Sequence, residues 1–223
     1  MFSPTSKKNA KGILHMIRIT EKLNAMLLSI VMLFLMTQVM PDAKAISIDD
    51  SSVFLKQAES STCTLAASAM MLRRRAIIDG NSKWSDITEN ALKPTAWSGG
   101  LKYTFSYSGM DVSHYYINNM SIANKKEAII SRFEKHPEGI VIWNDTKPHA
   151  VLATDYDSAT DTIYCADPSG STKRIALSSC STLPGSGQNG KISGIYKYWY
   201  ITNKSGWPQV WVSPGIQPPP LPW

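Results

Sequence analysis

The sequence lacks a hydrophobic run long enough to cross a bilayer, which takes about 20 residues. Its most apolar stretch, Ala25 to Val39, reads AMLLSIVMLFLMTQV and has 15 residues. A basic segment precedes it, and the small-x-small pattern Ala43-Lys44-Ala45 follows it. This order predicts a secretory signal peptide over residues 1–45, with cleavage after Ala45, and hence a secreted protein. An N-terminal membrane anchor is the alternative, and Met16 or Met26 could be the true start.

Cysteine is also scarce, with only Cys63, Cys165 and Cys180 in 223 residues. Cys165 and Cys180 lie 15 positions apart and could form a disulfide, whereas Cys63 lies far upstream. One disulfide would leave one thiol over. In an exported protein, such a thiol is either buried and inert or used for chemistry.

A strong charge of one sign is absent from the predicted mature chain. Six of the 23 Lys and Arg and two of the 17 Asp and Glu precede Ile46, which leaves a net charge of about +2. This balance does not favour nucleic-acid binding. The run Arg73–Arg75 fits a solvated helix end. No H-E-x-x-H motif and no Cys/His set at ligand spacing occurs, so we predict neither a metal nor another cofactor.

The remaining length suits one domain, residues 46–206, followed by a proline-rich tail, residues 207–223, that ends in PPPLPW. Helical patterns come first and strand patterns second, which predicts an α+β fold with a helical part beside an antiparallel sheet. The predicted helices are Cys63–Ile78, Trp84–Leu92 (ending before Pro94) and Lys125–His136 (capped by Asn124 with Glu127). The predicted strands are Ile140–Trp143, His149–Tyr156, Thr162–Ala166, Lys173–Leu177 and Gly194–Ile201. The segment Leu183–Gly190 is a predicted loop, and Thr95–Ser113 has loop composition with room for a short strand.

Cys63 stands at the start of the first predicted helix, which is apolar on almost every side. Peptide dipoles at a helix N-terminus favour a thiolate, so Cys63 is a candidate nucleophile. A plain core cysteine is the competing interpretation. Gln57, six residues earlier, could donate a hydrogen bond to an oxyanion together with the Cys63 backbone N–H, although an isolated glutamine is usually a surface residue.

His149 begins a predicted strand and is the histidine best placed to face a cleft. If Asp157 pairs with Asp161 across the following turn, His149 faces Ser169 and Asp167 is its diagonal neighbour on the same face. Asp167 could then orient the imidazole and stabilise its charged form. A register shifted by one residue would point Asp167 away. An edge histidine and an Asp-Pro-Ser-Gly turn are the competing interpretations.

The order Gln57, Cys63, His149 and Asp167, with the segments CTLAASAMMLRR and HAVLATDYD, resembles the papain-like cysteine peptidase superfamily. Within it, the sequence is most similar to the C39-like group, related to peptidases that process bacteriocin leaders. The resemblance covers about Phe54 to Gly170. It implies a papain-like fold whose central helix packs against the C-terminal sheet, and a Cys-His-Asp triad with Gln57 as oxyanion donor.

The chain departs from that pattern in three respects. The C-G-S-C-W box is absent, the interval from Cys63 to His149 is short, and no transmembrane bundle accompanies the domain. The segment Trp97–Gly100 could form a ledge for the substrate backbone, or an ordinary loop. The expected function is a secreted thiol hydrolase that cleaves peptide or isopeptide bonds, with a peptide or protein as substrate. A transglutaminase-type acyl transferase and a catalytically silent binding module are the alternatives.

Overall fold

The structure is a computed structural model that describes residues 46–170 and 173–203. The predicted signal peptide and the proline-rich tail lie outside these residues. The helices are α1 (Cys63–Ile78), α2 (Glu89–Ala96), α3 (Ile122–Phe133) and α4 (Gly187–Ser193), and short 3₁₀ turns span Trp84–Asp86 and Leu177–Ser179. The strands are β1 (Phe105–Tyr107), β2 (Met110–Tyr116), β3 (Ile140–Asn144), β4 (His149–Asp157), β5 (Thr162–Ala166), β6 (Arg174–Ala176) and β7 (Ile195–Asn203).

The strands form one antiparallel sheet in the order β1-β2-β7-β3-β4-β5-β6. Side chains alternate along each strand, so the sheet supplies a core on both of its faces. One face packs against α1 and α2, with Leu152 and Trp199 among its buried residues. The other face packs beneath α3 and α4, with Val151 and Tyr198. The predicted α+β class is therefore confirmed.

Helix α1 begins and ends where its sequence pattern predicts. It is buried on almost every side because the sheet covers one flank and α2 with the first 3₁₀ turn covers another. No described helix is both long and apolar enough to span a bilayer.

The prediction of a solvated face for Arg73–Arg75 is wrong for the first two residues. Arg74 is 1% exposed and Arg73 is 6% exposed. Both guanidinium groups donate to backbone carbonyls at the edges of the core, including Ile87 for Arg73 and Glu138 for Arg74. The five fixed donors of a guanidinium can satisfy several carbonyls at once, which explains how two cations are accommodated in this core.

The prediction that Pro94 ends the second helix is also wrong. A 3₁₀ turn replaces its first part, and α2 runs past Pro94 to Ala96. The missing N–H of Pro94 leaves the Asn90 carbonyl without its helical partner. Asn90 and Pro94 are both exposed, so water can satisfy that carbonyl.

Candidate active site

Cys63 is the first residue of α1, and it is 5% exposed. Thr62 precedes it as N-cap but makes no capping hydrogen bond with its side chain, and the first turn holds no acidic residue. The N–H groups at this end and the aligned peptide dipoles therefore favour a negative charge on the Cys63 sulfur.

The imidazole of His149 joins Cys63 to Asp167. Its Nε2 lies 2.9 Å from Asp167 Oδ1, and Cys63 lies close enough to raise the pKa of the ring. Burial alone would lower the pKa of His149, but the hydrogen bonds and charges of Asp167 and Cys63 outweigh it and raise the pKa to about 9. At neutral pH the ring therefore carries a positive charge beside the sulfur.

The Asp167 carboxylate is the most heavily hydrogen-bonded group of the site. Oδ1 accepts from His149, from the Ser169 backbone N–H at 2.8 Å and from the Ser169 hydroxyl at 3.0 Å. Oδ2 accepts from the Thr182 hydroxyl and, at 3.6 Å, from the Cys180 thiol. Burial would raise the pKa of Asp167, but hydrogen bonds from His149, Thr182 and the Ser169 N–H hold it well below its usual range. Asp167 is therefore ionised.

The strand register that brings Asp167 to His149 arises differently from the prediction. Asp157 pairs with Thr162 rather than with Asp161, so the turn is one residue longer than predicted. A bulge between Ala153 and Asp155 absorbs the extra residue, and Ala153 then pairs with Cys165. Beyond the bulge the predicted register is restored.

Gln57 lies next to this site through its backbone, whose N–H donates to the Pro168 carbonyl at 2.8 Å. Its side-chain Nε2 donates to the Glu59 carbonyl at 2.7 Å, and its buried Oε1 has no partner among the described residues. The amide has a second N–H that this bond does not use. No hydrogen bond joins Gln57 to Cys63 in the described chain, so its role as oxyanion donor stays a prediction.

Three partners of Asp167 were not predicted from the sequence, namely Ser169, Cys180 and Thr182. The Asp-Pro-Ser-Gly pattern did contain a signal for Ser169, because a turn in which Asp accepts from the residue two positions on is typical of Asp. Asp167 therefore both forms the turn, by accepting from the Ser169 N–H, and binds the His149 imidazole. No sequence pattern indicated Thr182, because it reaches Asp167 only through the path that the chain takes after β6.

All three cysteines are free and buried in the structure. The Cys165–Cys180 disulfide that the spacing permitted is not formed. Instead, the neighbouring Cys180 side chain, together with burial, raises the pKa of Cys165 well above its usual value. Cys165 therefore stays protonated beside Cys180, whose Sγ lies 3.6 Å from Asp167 Oδ2.

The other described histidines lie away from this group. His136, at the end of the third predicted helix, is only 7% exposed, and its Nδ1 lies 3.1 Å from Glu138 Oε1. His114 contacts the Tyr103 carbonyl through Nδ1. The predicted ledge at Trp97–Gly100 is a tight turn in which the Ser98 N–H donates to the Gly100 carbonyl, and Trp97 packs against the buried cluster that contains Cys63.

Comparisons of the chain with family models, with curated proteins and with solved structures found no match. A thiol at a helix N-terminus, a charged imidazole beside it and an ionised carboxylate bonded to that imidazole can generate a nucleophile and move a proton.

Proposed function

We propose that the protein is a papain-like thiol hydrolase that cleaves peptide or isopeptide bonds, with Cys63 as nucleophile, His149 as acid and base, and Asp167 as the residue that orients His149. The observation that carries this proposal is the position of the His149 ring, whose Nε2 lies 2.9 Å from Asp167 Oδ1 while Cys63 lies close enough to raise the pKa of the ring. A histidine with only a structural role does not need a thiol at a helix N-terminus as its second partner.

The reaction follows from these positions. The Cys63 sulfur attacks the substrate carbonyl carbon, and the oxygen takes the negative charge. The Cys63 backbone N–H and the second N–H of Gln57 are the candidate donors to that oxygen. When the carbon–nitrogen bond breaks, His149 gives its proton to the leaving amine and a thioester forms on Cys63. Water then attacks the thioester while His149 removes its proton, which releases the carboxylic acid and restores the thiol.

The acyl-transferase alternative uses the same first half of the reaction. A primary amine would replace water in the second half, so that an amide is formed and no acid is released. In the alternative of a silent binding module, the same residues would have only structural roles. Analysis of the products, acid or amide, distinguishes the acyl transferase from the hydrolase. Activity that depends on Cys63 distinguishes either enzyme from the silent binding module.

The decisive experiment compares the protein with its Cys63→Ala variant on a quenched-fluorescent peptide library. We expect turnover by the wild type and a loss of at least about 1000-fold in the variant, because the nucleophile is removed. Cys165→Ala is the matched control, since it also removes one buried thiol and should retain most activity.

A second readout does not depend on knowing the substrate. We expect iodoacetamide at pH 7 to modify Cys63 at least about tenfold faster in the wild type than in His149→Ala, because the charged imidazole favours the thiolate. Equal alkylation rates, together with no turnover that depends on Cys63, would leave the silent binding module as the better description.

A further inference from the structure

A row of paired residues crosses the sheet from the strand that carries His149. Ala150, the next residue of β4, pairs with Trp143 of β3, which pairs with Lys197 of β7, which pairs with Tyr116 of β2. Directly paired residues in a sheet point to the same face. Trp143 packs against the cluster of buried residues that also contains Cys63. The row therefore lies on the face of the sheet where Cys63 is found.

Aromatic rings surround the Lys197 ammonium in this row. Its Nζ lies 4.6 Å from the ring centre of Tyr103, 4.9 Å from that of Trp199 and 5.6 Å from that of Tyr116. These distances are those of cation–π contacts, which hold the charge in place. No carboxylate or carbonyl of the described residues accepts a hydrogen bond from Nζ, so its N–H donors remain for an external acceptor.

The surface around Lys197 is open to a ligand. The side chains of Tyr103 and Tyr116 are 54% and 42% exposed, and Lys197 and Trp143 are half-buried. Large apolar side chains exposed together, around a cation without an anionic partner, are typical of a binding surface. The Tyr103 and His114 rings also form a tilted aromatic pair, with their centres 4.6 Å apart.

We propose that this row is a substrate subsite and that it selects a peptide carrying a carboxylate, which Lys197 binds while Trp143 and Tyr116 pack against the neighbouring residues. The inference rests on the proposed function, because it gives the substrate class of the same site. The complementary charge points to an acidic side chain, Glu or Asp, rather than to an apolar or basic one.

The geometry also gives the position of that side chain along the substrate. Strands β4 and β7 are two strand spacings apart, which is roughly 10 Å. An extended peptide advances about 3.3 Å per residue. The selected acidic residue therefore lies about three residues from the cleaved bond.

The test uses a quenched-fluorescent octapeptide library in which Glu or Gln is fixed at each position in turn. For the wild type we expect kcat/KM to be about fivefold higher with Glu than with Gln at one position about three residues from the cleaved bond, which mass spectrometry of the products locates. Lys197→Gln should abolish this preference because it removes the charge, and Lys197→Arg should keep most of it. Lys83→Gln, an exposed lysine beyond the opposite end of α1, is the charge-matched control and should leave the preference unchanged.

A binding arm separates this inference from the proposed catalysis. Immobilised Cys63→Ala protein, with and without Lys197→Gln, is exposed to the same library, and the retained peptides are identified by mass spectrometry. Enrichment of Glu peptides that depends on Lys197, without turnover by the wild type, would overturn the proposed hydrolase and keep the subsite as a peptide-binding surface. The subsite would be overturned if Glu and Gln peptides were cleaved with equal kcat/KM and retained equally, whether or not Lys197 is replaced by Gln.

Discussion

At the scale of single residues, the state of His149 depends on Asp167. The carboxylate contributes a hydrogen bond and a negative charge, and both stabilise the protonated ring. Replacing Asp167 with Asn keeps the shape but removes the charge. We expect the pKa of His149 to fall from about 9 toward the unperturbed value of about 6.5. Nitrogen chemical shifts of the ¹⁵N-labelled imidazole, followed against pH, measure this change directly.

The control for this titration is Thr182→Val, which removes one hydrogen bond to Asp167 but keeps the carboxylate charge. We expect its effect on the His149 titration to be much smaller than that of Asp167→Asn. If Asp167→Asn left the His149 pKa near 9, the imidazole would owe its charge to other groups, and Asp167 would lose its assigned role.

At the scale of secondary-structure elements, the prediction succeeded where one continuous pattern decides the structure. The ends of α1 and β5 match their predicted ranges because an apolar run continues to a capping residue or a turn. It failed for α4, whose residues Gly187–Ser193 have loop composition. Gln188 holds this helix to the sheet edge by accepting from the Ile163 N–H and donating to the Asp161 carbonyl. Such tertiary contacts override local propensity and leave no periodic signal.

Helix α3 offers a direct test at this scale, because sequence and structure name different N-caps. The pattern N-x-x-E predicted Asn124, whereas the helix begins three residues earlier and the Ser121 hydroxyl accepts from the Asn124 N–H at 3.2 Å. We expect Ser121→Ala to lower the free energy of unfolding by about 1 kcal/mol, a typical value for loss of a cap. Asn124→Ala, inside the exposed first turn, should change it by less than about 0.5 kcal/mol. Urea unfolding of both variants measures the difference, and the reverse order would place the cap at Asn124.

At the scale of the whole molecule, the site depends on chain geometry that a sequence does not encode locally. The prediction that His149 and Asp167 lie on one face assumed a turn one residue shorter than the turn in the structure. The bulge near Thr154 takes up the extra residue and so brings the two side chains back onto one face. The bulge is held from outside the hairpin. Arg74 of α1 donates to the Thr154 carbonyl, and Gly139 lies so close to the Ala153 carbonyl that a Cβ there would approach it to 2.4 Å. Contacts between distant segments thus set the register, and residue patterns within the hairpin could not reveal them.

The linkage between protonation and folding gives the last prediction at this scale. The folded-state pKa of His149 is about 9, above the unfolded value of about 6.5. The protonated ring therefore stabilises the fold fully below about pH 6.5, and this stabilisation is lost as the pH rises through about 9. We expect the free energy of unfolding of the wild type to fall between pH 6.5 and 9.5 relative to that of His149→Asn. Urea unfolding of both proteins under reducing conditions, across this range, measures the difference.

Asp167 stays ionised throughout that range, because its pKa is held well below its usual value, so its own titration does not contribute to the slope. Groups far from the site titrate alike in both proteins and cancel in the comparison. Cys63 does not cancel, because it loses its imidazole partner in the variant, so the slope measures the Cys63–His149 pair as a unit. Parallel stability profiles would mean that the pair carries no net charge-dependent interaction, and the basis for a reactive thiol at Cys63 would then be removed.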